Sequence, residues 1–216
     1  MKKKIVVVAP HPDDETLACG GTILKKIHEG YEVAVLVVTD GRHALTSNDG
    51  VQSDPSPEEL KLIRKEELQK VVSILGVAPH NLFYLDFEDL TIEKNIPQVE
   101  KCVKEILCKL KPEEISEIYF PCETSRHKDH QITGEIIQRS IKELSIPASG
   151  YKYSLPPSFS QDDSIVSIDI SPFLKQKTKA LKQYKSQIKK ISKKQDKPVL
   201  QKMKRYLQKQ ETFVVG

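Results

Sequence analysis

Four apolar runs of strand length, at 3–8, 32–38, 82–86 and 115–120, are each followed by a stretch of helical periodicity, near 15–29, 57–75, 96–110 and 130–144. Strands joined through helices run parallel, and the helices must cover the faces of the sheet they form. The alternation therefore predicts an α/β chain with a mostly parallel sheet and helices on both faces. The strands are β-branched or aromatic, as in Ile5-Val6-Val7-Val8. The helices carry apolar stripes, as in Leu68, Val71, Val72 and Leu75, or Val99, Val103, Ile106, Leu107 and Leu110. Ser56-Pro57-Glu58-Glu59 opens the second helix, with Ser56 as cap, Pro57 at the first position and Glu59 at the capping-box position. Two more extended runs, near 149–155 and 164–170, are expected to complete the sheet before C-terminal helices.

At 216 residues the expectation is a single catalytic domain over 1–216, with 170–216 packed on it as a basic helical region. No apolar run approaches the ~18 residues of a membrane span. Met1-Lys2-Lys3-Lys4 is basic, but the short apolar run after it leads into a polar motif, which argues against a signal peptide. Cys19, Cys102, Cys108 and Cys122 show no CxxC spacing, so reduced thiols and a cytoplasmic location are expected. The net charge of +4 is unevenly spread: residues 175–216 hold 14 Lys and Arg against 2 Asp and Glu, and residues 1–174 hold 20 against 28. Such an end could attract a membrane surface or nucleic acid. A solvated lysine face is the plainer reading, because Leu174, Leu181, Tyr184, Ile188 and Ile191 give the segment an apolar side to pack. The aromatic residues among the lysines, Tyr184 and Tyr206, do not make a surface for stacking bases, so no nucleic-acid partner is expected. A homo-oligomer stays open.

In a doubly wound sheet the winding direction reverses between strands one and four, which become neighbours around a crevice. The expected architecture is a Rossmann-like three-layer sandwich with strand order 3-2-1-4-5 plus an added strand. Ala9-Pro10-His11-Pro12-Asp13-Asp14-Glu15 follows strand one, and His127-Lys128-Asp129-His130 follows strand four. With that order the two clusters face each other. Two imidazoles, one carboxylate and an open position make a catalytic zinc shell, here His11, Asp14 and His130. Zinc would bring a bound water's pKa towards ~7. Asp13, next to a ligand but unsuited to the same metal face, is the candidate base. His127 is placed to stabilise negative charge on a tetrahedral intermediate, with Asp129 holding it protonated and oriented. A blander reading stands beside this one: Asp14 as a helix cap and HxDH as a polar helix start. Gly20-Gly21 lies within a predicted helix and reads as close packing rather than a nucleotide loop. His28 and His80 read as surface residues, His43 as a solvated loop histidine near the crevice, and Cys19 and Cys122 as small buried residues. The irregular segments 40–56, 121–127 and 155–163 stand apart from the helices and strands, and the first and last of them are expected to shape substrate choice.

The motif set resembles the LmbE-like, or PIG-L, N-deacetylases. The resemblance rests on Ala9 to Glu15 with Gly20-Gly21-Thr22-Ile23, where Pro10 stands between the usual alanine and His11. It continues through Thr39-Asp40-Gly41, Arg64-x-x-Glu67, Leu75-Gly76 and the paired histidines 127 and 130. Lys177-x-x-Ala180-Leu181-x-x-Tyr184-x-Ser186-Gln187 matches the family's late helical signature. The likeness implies a zinc-dependent deacetylase that releases acetate from an N-acetylglucosaminyl-type conjugate. Its ligand roles fall on His11, Asp14 and His130, its base on Asp13, and its carbonyl-polarising imidazole on His127. Its substrate-contacting arginine falls on Arg64, for which an ion pair with Glu67 or another nearby acid is the alternative. The same shell could hold Fe2+, Co2+ or Mn2+ in place of Zn2+. Two rival functions are a metal-dependent phosphoesterase, which usually needs more carboxylates, and a non-catalytic binding module using the basic C-terminal region.

Overall fold

The computed structural model describes residues 3–45, 54–156, 160, 163–192, 195, 197–201 and 203–216, so parts of the segments 40–56 and 155–163 lie outside the described residues. Strands β1 (Lys4–Ala9), β2 (Glu32–Thr39), β3 (Leu82–Phe87), β4 (Ile115–Pro121) and β5 (Ser149–Tyr153) pair in parallel in the order 3-2-1-4-5. Helices α1 (Asp14–His28), α2 (Pro57–Leu75), α3 (Ile96–Lys109) and α4 (Lys128–Glu143) connect them in the expected order. The box at the start of α2 is complete: the Ser56 amide donates to Glu59 and the Glu59 amide to Ser56 Oγ.

Period-two alternation in the inner strands builds two cores. Ile5, Val7, Val33, Val35 and Val37 face α1, α2 and the later helix α5 (Leu174–Leu181), meeting Leu17, Ile23, Leu68, Val72 and Leu181. Val6, Val8, Ala34, Leu36 and Val38 face α3 and α4, meeting Val99, Val103, Leu107, Ile132 and Ile136. A strand buried on both faces needs apolar side chains at every position, which is why β1 and β2 read as continuous Val, Ile and Leu runs.

The C-terminal region departs from the helical expectation. After α5 comes the single-turn α6 (Lys185–Ile188), and the chain ends in a strand, β7 (Gln210–Val215). β7 inserts between β5 and β6 (Ile165–Asp169), antiparallel to both, so the sheet gains two strands beyond β5. The signal was local: Glu211 and Phe213 point inward and are buried, while Gln210 and Val215 are exposed. The lysine density upstream hid a short alternating run whose pairing covers the otherwise open edge of β5.

Candidate metal and catalytic site

The site forms where β1 and β4 end side by side. The turn after β1 is held tightly. Thr39 donates to the Pro10 carbonyl through both its amide and its hydroxyl, at 2.8 Å each. Asp13 then adopts φ 126°, a conformation that an L-residue holds only when its surroundings impose it, at a cost of about 1–3 kcal/mol. The imposing groups are Glu15, which accepts from the Asp13 amide at 3.0 Å, and Arg64. The buried guanidinium of Arg64 donates to the Pro12 and Gly41 carbonyls and lies 3.2 Å from Asp13 Oδ1. Gly41 is required twice over: its φ is +65°, and a Cβ there would meet Arg64 at 2.4 Å. The guanidinium of Arg64 holds the turn that carries Asp13 and also lines the cavity over the site; its ion-pair partner is Asp13, and the Glu67 carboxylate is bonded to Ser186.

α4 begins at Lys128, slightly earlier than expected, with His127 as its cap; His127 Nδ1 accepts from the Asp129 amide. This places Asp129 and His130 in the first helical turn, buried and turned towards β1. Asp14 Oδ2 lies 3.1 Å from both His11 Nδ1 and His130 Nε2, and also accepts from the His11 amide at 3.0 Å. The two clusters, more than a hundred residues apart in sequence, thus close into one His–Asp–His group with its ligand atoms all within 4.8 Å. Two imidazole nitrogens and a carboxylate oxygen, all from buried residues, fit a borderline-soft divalent cation such as zinc.

The structure puts the Asp129 carboxylate against His11, within the cluster that also includes His127. Asp129 Oδ2 lies 3.3 Å from His11 Nε2 and accepts from the Leu90 amide at 2.8 Å, so its carboxylate orients His11. The desolvated part of the His127 ring, packed 4.7 Å from the His11 ring, together with the charges of His11 and His130, pushes its pKa down to about 4. The helix start explains the contact: Asp129, at the second position of α4, turns its carboxylate towards His11 at the end of β1, with His127 in the same cluster.

The other titrations follow from the same contacts. Burial opposes charge on His11, but the hydrogen bonds to Asp129 and Asp14 and the Asp14 charge outweigh it, raising the pKa to about 10. Burial raises Asp13 to about 8, Arg64 opposing and Asp14 and Glu15 adding to it. Burial also opposes ionisation of Asp14, yet the His130 charge and the bonds to both histidines hold it well below the carboxylate range.

A cavity of about 410 Å³ opens at these groups, lined by His11, Asp13, Asp14, Arg64, His127 and His130. His43 reaches it from the loop after β2, its ring 2.8 Å from Glu88, so it is a rim residue rather than a fully solvated one. Leu90, Val199 and Tyr206 also line it, and no local sequence pattern marked them. His28 and His80 are exposed, and Cys19 is fully buried, as expected; Cys122 is only half-buried. A Cβ on Gly21 would meet Ile170 at 2.4 Å, which bears out the close-packing reading of that glycine. Glu15, assigned no role from sequence, is fully buried and accepts from Thr16, Tyr184 and the Asp13 amide. The late helical signature therefore reaches the site through Tyr184.

Residues 6–141 match the family model described as PIG-L, GlcNAc-PI de-N-acetylase. Among curated proteins, the chain is 28% identical to diacetylchitobiose deacetylase of Thermococcus kodakarensis over 86% of its length and 70% of that protein's. It is 31% identical to a probable N-acetyl-alpha-D-glucosaminyl L-malate deacetylase of Bacillus cereus, over 67% of this chain and 63% of that one. The fold is similar to that of N,N'-diacetylchitobiose deacetylase from Pyrococcus horikoshii, with a TM-score of 0.76 at 23% identity, covering 99% of this chain and 84% of that one.

Proposed function

The chain belongs to the PIG-L family of deacetylases, and we propose that it is a zinc-dependent amide hydrolase that removes the N-acetyl group from an N-acetylglucosaminyl-type conjugate. The observation that carries this reading is the convergence of His11, Asp14 and His130 beside an uncoordinated carboxylate, Asp13, in the lining of one cavity. The names of the relatives support the amino-sugar substrate.

His11, Asp14 and His130 would hold the ion. Zinc bound there supplies Lewis acidity and a water acidic enough to attack an amide at neutral pH. Asp13 takes the proton from the attacking water and returns it to the departing amine nitrogen. Arg64 acts through Asp13: its bonds to Pro12, Gly41 and Asp13 fix the carboxylate where the water's proton must go. His127 lines the cavity and, with Nδ1 engaged by the Asp129 amide, would donate from Nε2 to the acetyl oxygen as negative charge develops there. Asp129 keeps the His11 ring turned so that Nδ1 faces Asp14 and His130. The basic C-terminal region supports this enzyme rather than acting as a detachable docking tail, because α5 packs on α1 and α2 and β7 is an interior strand.

The test is acetate release from a panel of N-acetylglucosaminides by the zinc-loaded wild type and by Asp13→Ala. Turnover by the wild type with a loss of about 10²–10⁴ in the variant is the expected result. An Asp13→Ala enzyme within tenfold of wild type, or a wild type inactive on the whole panel, overturns the reading.

A further inference from the structure

The φ of 126° at Asp13 has to be imposed from outside the residue, and the two groups that impose it act on different atoms. Arg64 faces the carboxylate, and Glu15 takes the amide. Glu15 is fully buried and forms no ion pair with any described residue. A buried carboxylate without a cation depends on hydrogen bonds in place of water. Three donors supply them: the Asp13 amide at 3.0 Å to one oxygen, and the hydroxyls of Thr16 at 2.6 Å and Tyr184 at 2.5 Å to the other. Asp13 and Thr16 are neighbours of Glu15 in the chain and move with it. Tyr184 comes from 169 residues away.

The segment that carries Tyr184 is itself fixed. Two residues on, Ser186 donates through its amide and its hydroxyl to the two oxygens of Glu67, at 2.9 and 2.5 Å. Glu67 stands one turn beyond Arg64 on α2, and both are buried. Helix α2 thus reaches Asp13 by two routes, directly through Arg64 and indirectly through Glu67, Ser186, Tyr184 and Glu15. Tyr184 is fully buried and is not among the residues that line the catalytic cavity, so what it contributes passes through Glu15.

We propose that Tyr184 is a positioning residue for the base: its hydroxyl locks the Glu15 carboxylate, which fixes the Asp13 amide and with it the direction of the Asp13 side chain. The inference rests on the deacetylase reading for the role of Asp13 as base, whereas the clamp on the turn stands without it. In Tyr184→Phe one oxygen of Glu15 keeps only Thr16, and the carboxylate turns to recover a donor. The Asp13 amide then loses its fixed acceptor. Asp14 is insulated from that change, because the His11 amide and both imidazoles hold it at 3.0–3.1 Å. Glu15→Gln keeps the clamp: its carbonyl must face the Asp13 amide, and its NH2 group donates to hydroxyls that turn to accept.

The experiment pairs acetate-release kinetics with amide NMR on the zinc-loaded full chain, for wild type, Tyr184→Phe, Glu15→Gln and the double variant. Tyr184→Phe should lower kcat about tenfold and leave KM and zinc affinity within about twofold, a split that a loss of stability alone does not produce. The Asp13 amide resonance should move and broaden, while that of Val35 in β2 stays in place. Glu15→Gln should keep kcat within about threefold, and in that background Tyr184→Phe should cost no more than about twofold, since a neutral amide needs no third donor. Wild-type kcat in Tyr184→Phe, or an equal loss in both backgrounds, overturns the proposal, as does an unmoved Asp13 resonance. A wild type that releases no acetate removes the deacetylase reading; an Asp13 resonance that still answers to Tyr184 then keeps the clamp, and one that does not removes it too.

Discussion

His11 belongs to two groups that could hold a metal, and one ring cannot turn both nitrogens to the same ion. Its Nδ1 faces Asp14 and, beyond it, His130; its Nε2 faces Asp129, with His127 alongside. The first group is buried throughout, whereas the second includes the exposed His127. If the first holds the ion, the proton of His11 sits on Nε2 and is donated to Asp129 Oδ2, the same oxygen that accepts from Leu90. Asp129→Asn can keep an oxygen at that position and loses only the charge assistance, so zinc affinity should fall about tenfold, or about 1.4 kcal/mol. Asp129→Ala releases the ring and leaves the Leu90 amide unpaired, which should bring the loss to about a hundredfold. His127→Ala removes no ligand and should leave the affinity within about twofold. Competition against a chromophoric chelator reads all three constants. Loss of zinc in His127→Ala, with retention in His130→Ala, would refute the assignment and move the ion to the Asp129 side.

Two further predictions concern stability. Glu211→Ala strands the buried Lys177 charge and the amides of Gly21 and Thr22, which should cost about 3–5 kcal/mol and lower the unfolding temperature by about 10 °C; the double variant Lys177→Met with Glu211→Gln should recover much of that loss, and calorimetric unfolding of both reads the result. Burial raises the Glu67 carboxyl above its ordinary 4.5 by more than its bonds to Ser186 lower it, so the native state holds that proton more tightly than the unfolded chain. Wild type should therefore lose stability relative to Glu67→Gln as pH rises from about 4.5 through the folded value, with a constant difference below it. Unfolding temperatures that differ by the same amount at about pH 4 and about pH 7.5 would contradict that sign.

Much of the site can be read from the chain because its information is local and repeated. The Val and Ile runs at 5–8 and 33–38 mark strands buried on both faces, and helical stripes between strands impose parallel connections. Parallel connections with a reversal after the third strand bring the ends of β1 and β4 together, so the facing of His11 and Asp14 with His130 followed from strand order alone. The partner of each polar group did not follow. Asp129 is two residues from His127 and 118 from His11, yet its carboxylate meets His11, because the start of α4 at Lys128 sets the direction of its side chain. Arg64 shows the same thing: its residue type does not reveal that it donates to the Pro12 and Gly41 carbonyls beneath the Asp13 turn, which only its burial there decides. Lys177 and Glu211 sit in a lysine-rich segment that reads as a solvated face, and they form a buried pair because β7 enters the sheet between β5 and β6. Periodicity determines which residues leave water and which strands are neighbours, since hydrophobic burial depends on pattern and not on precise contacts. Hydrogen bonds and ion pairs act only over a few ångströms and in set directions, so only the packed structure decided which charge meets which.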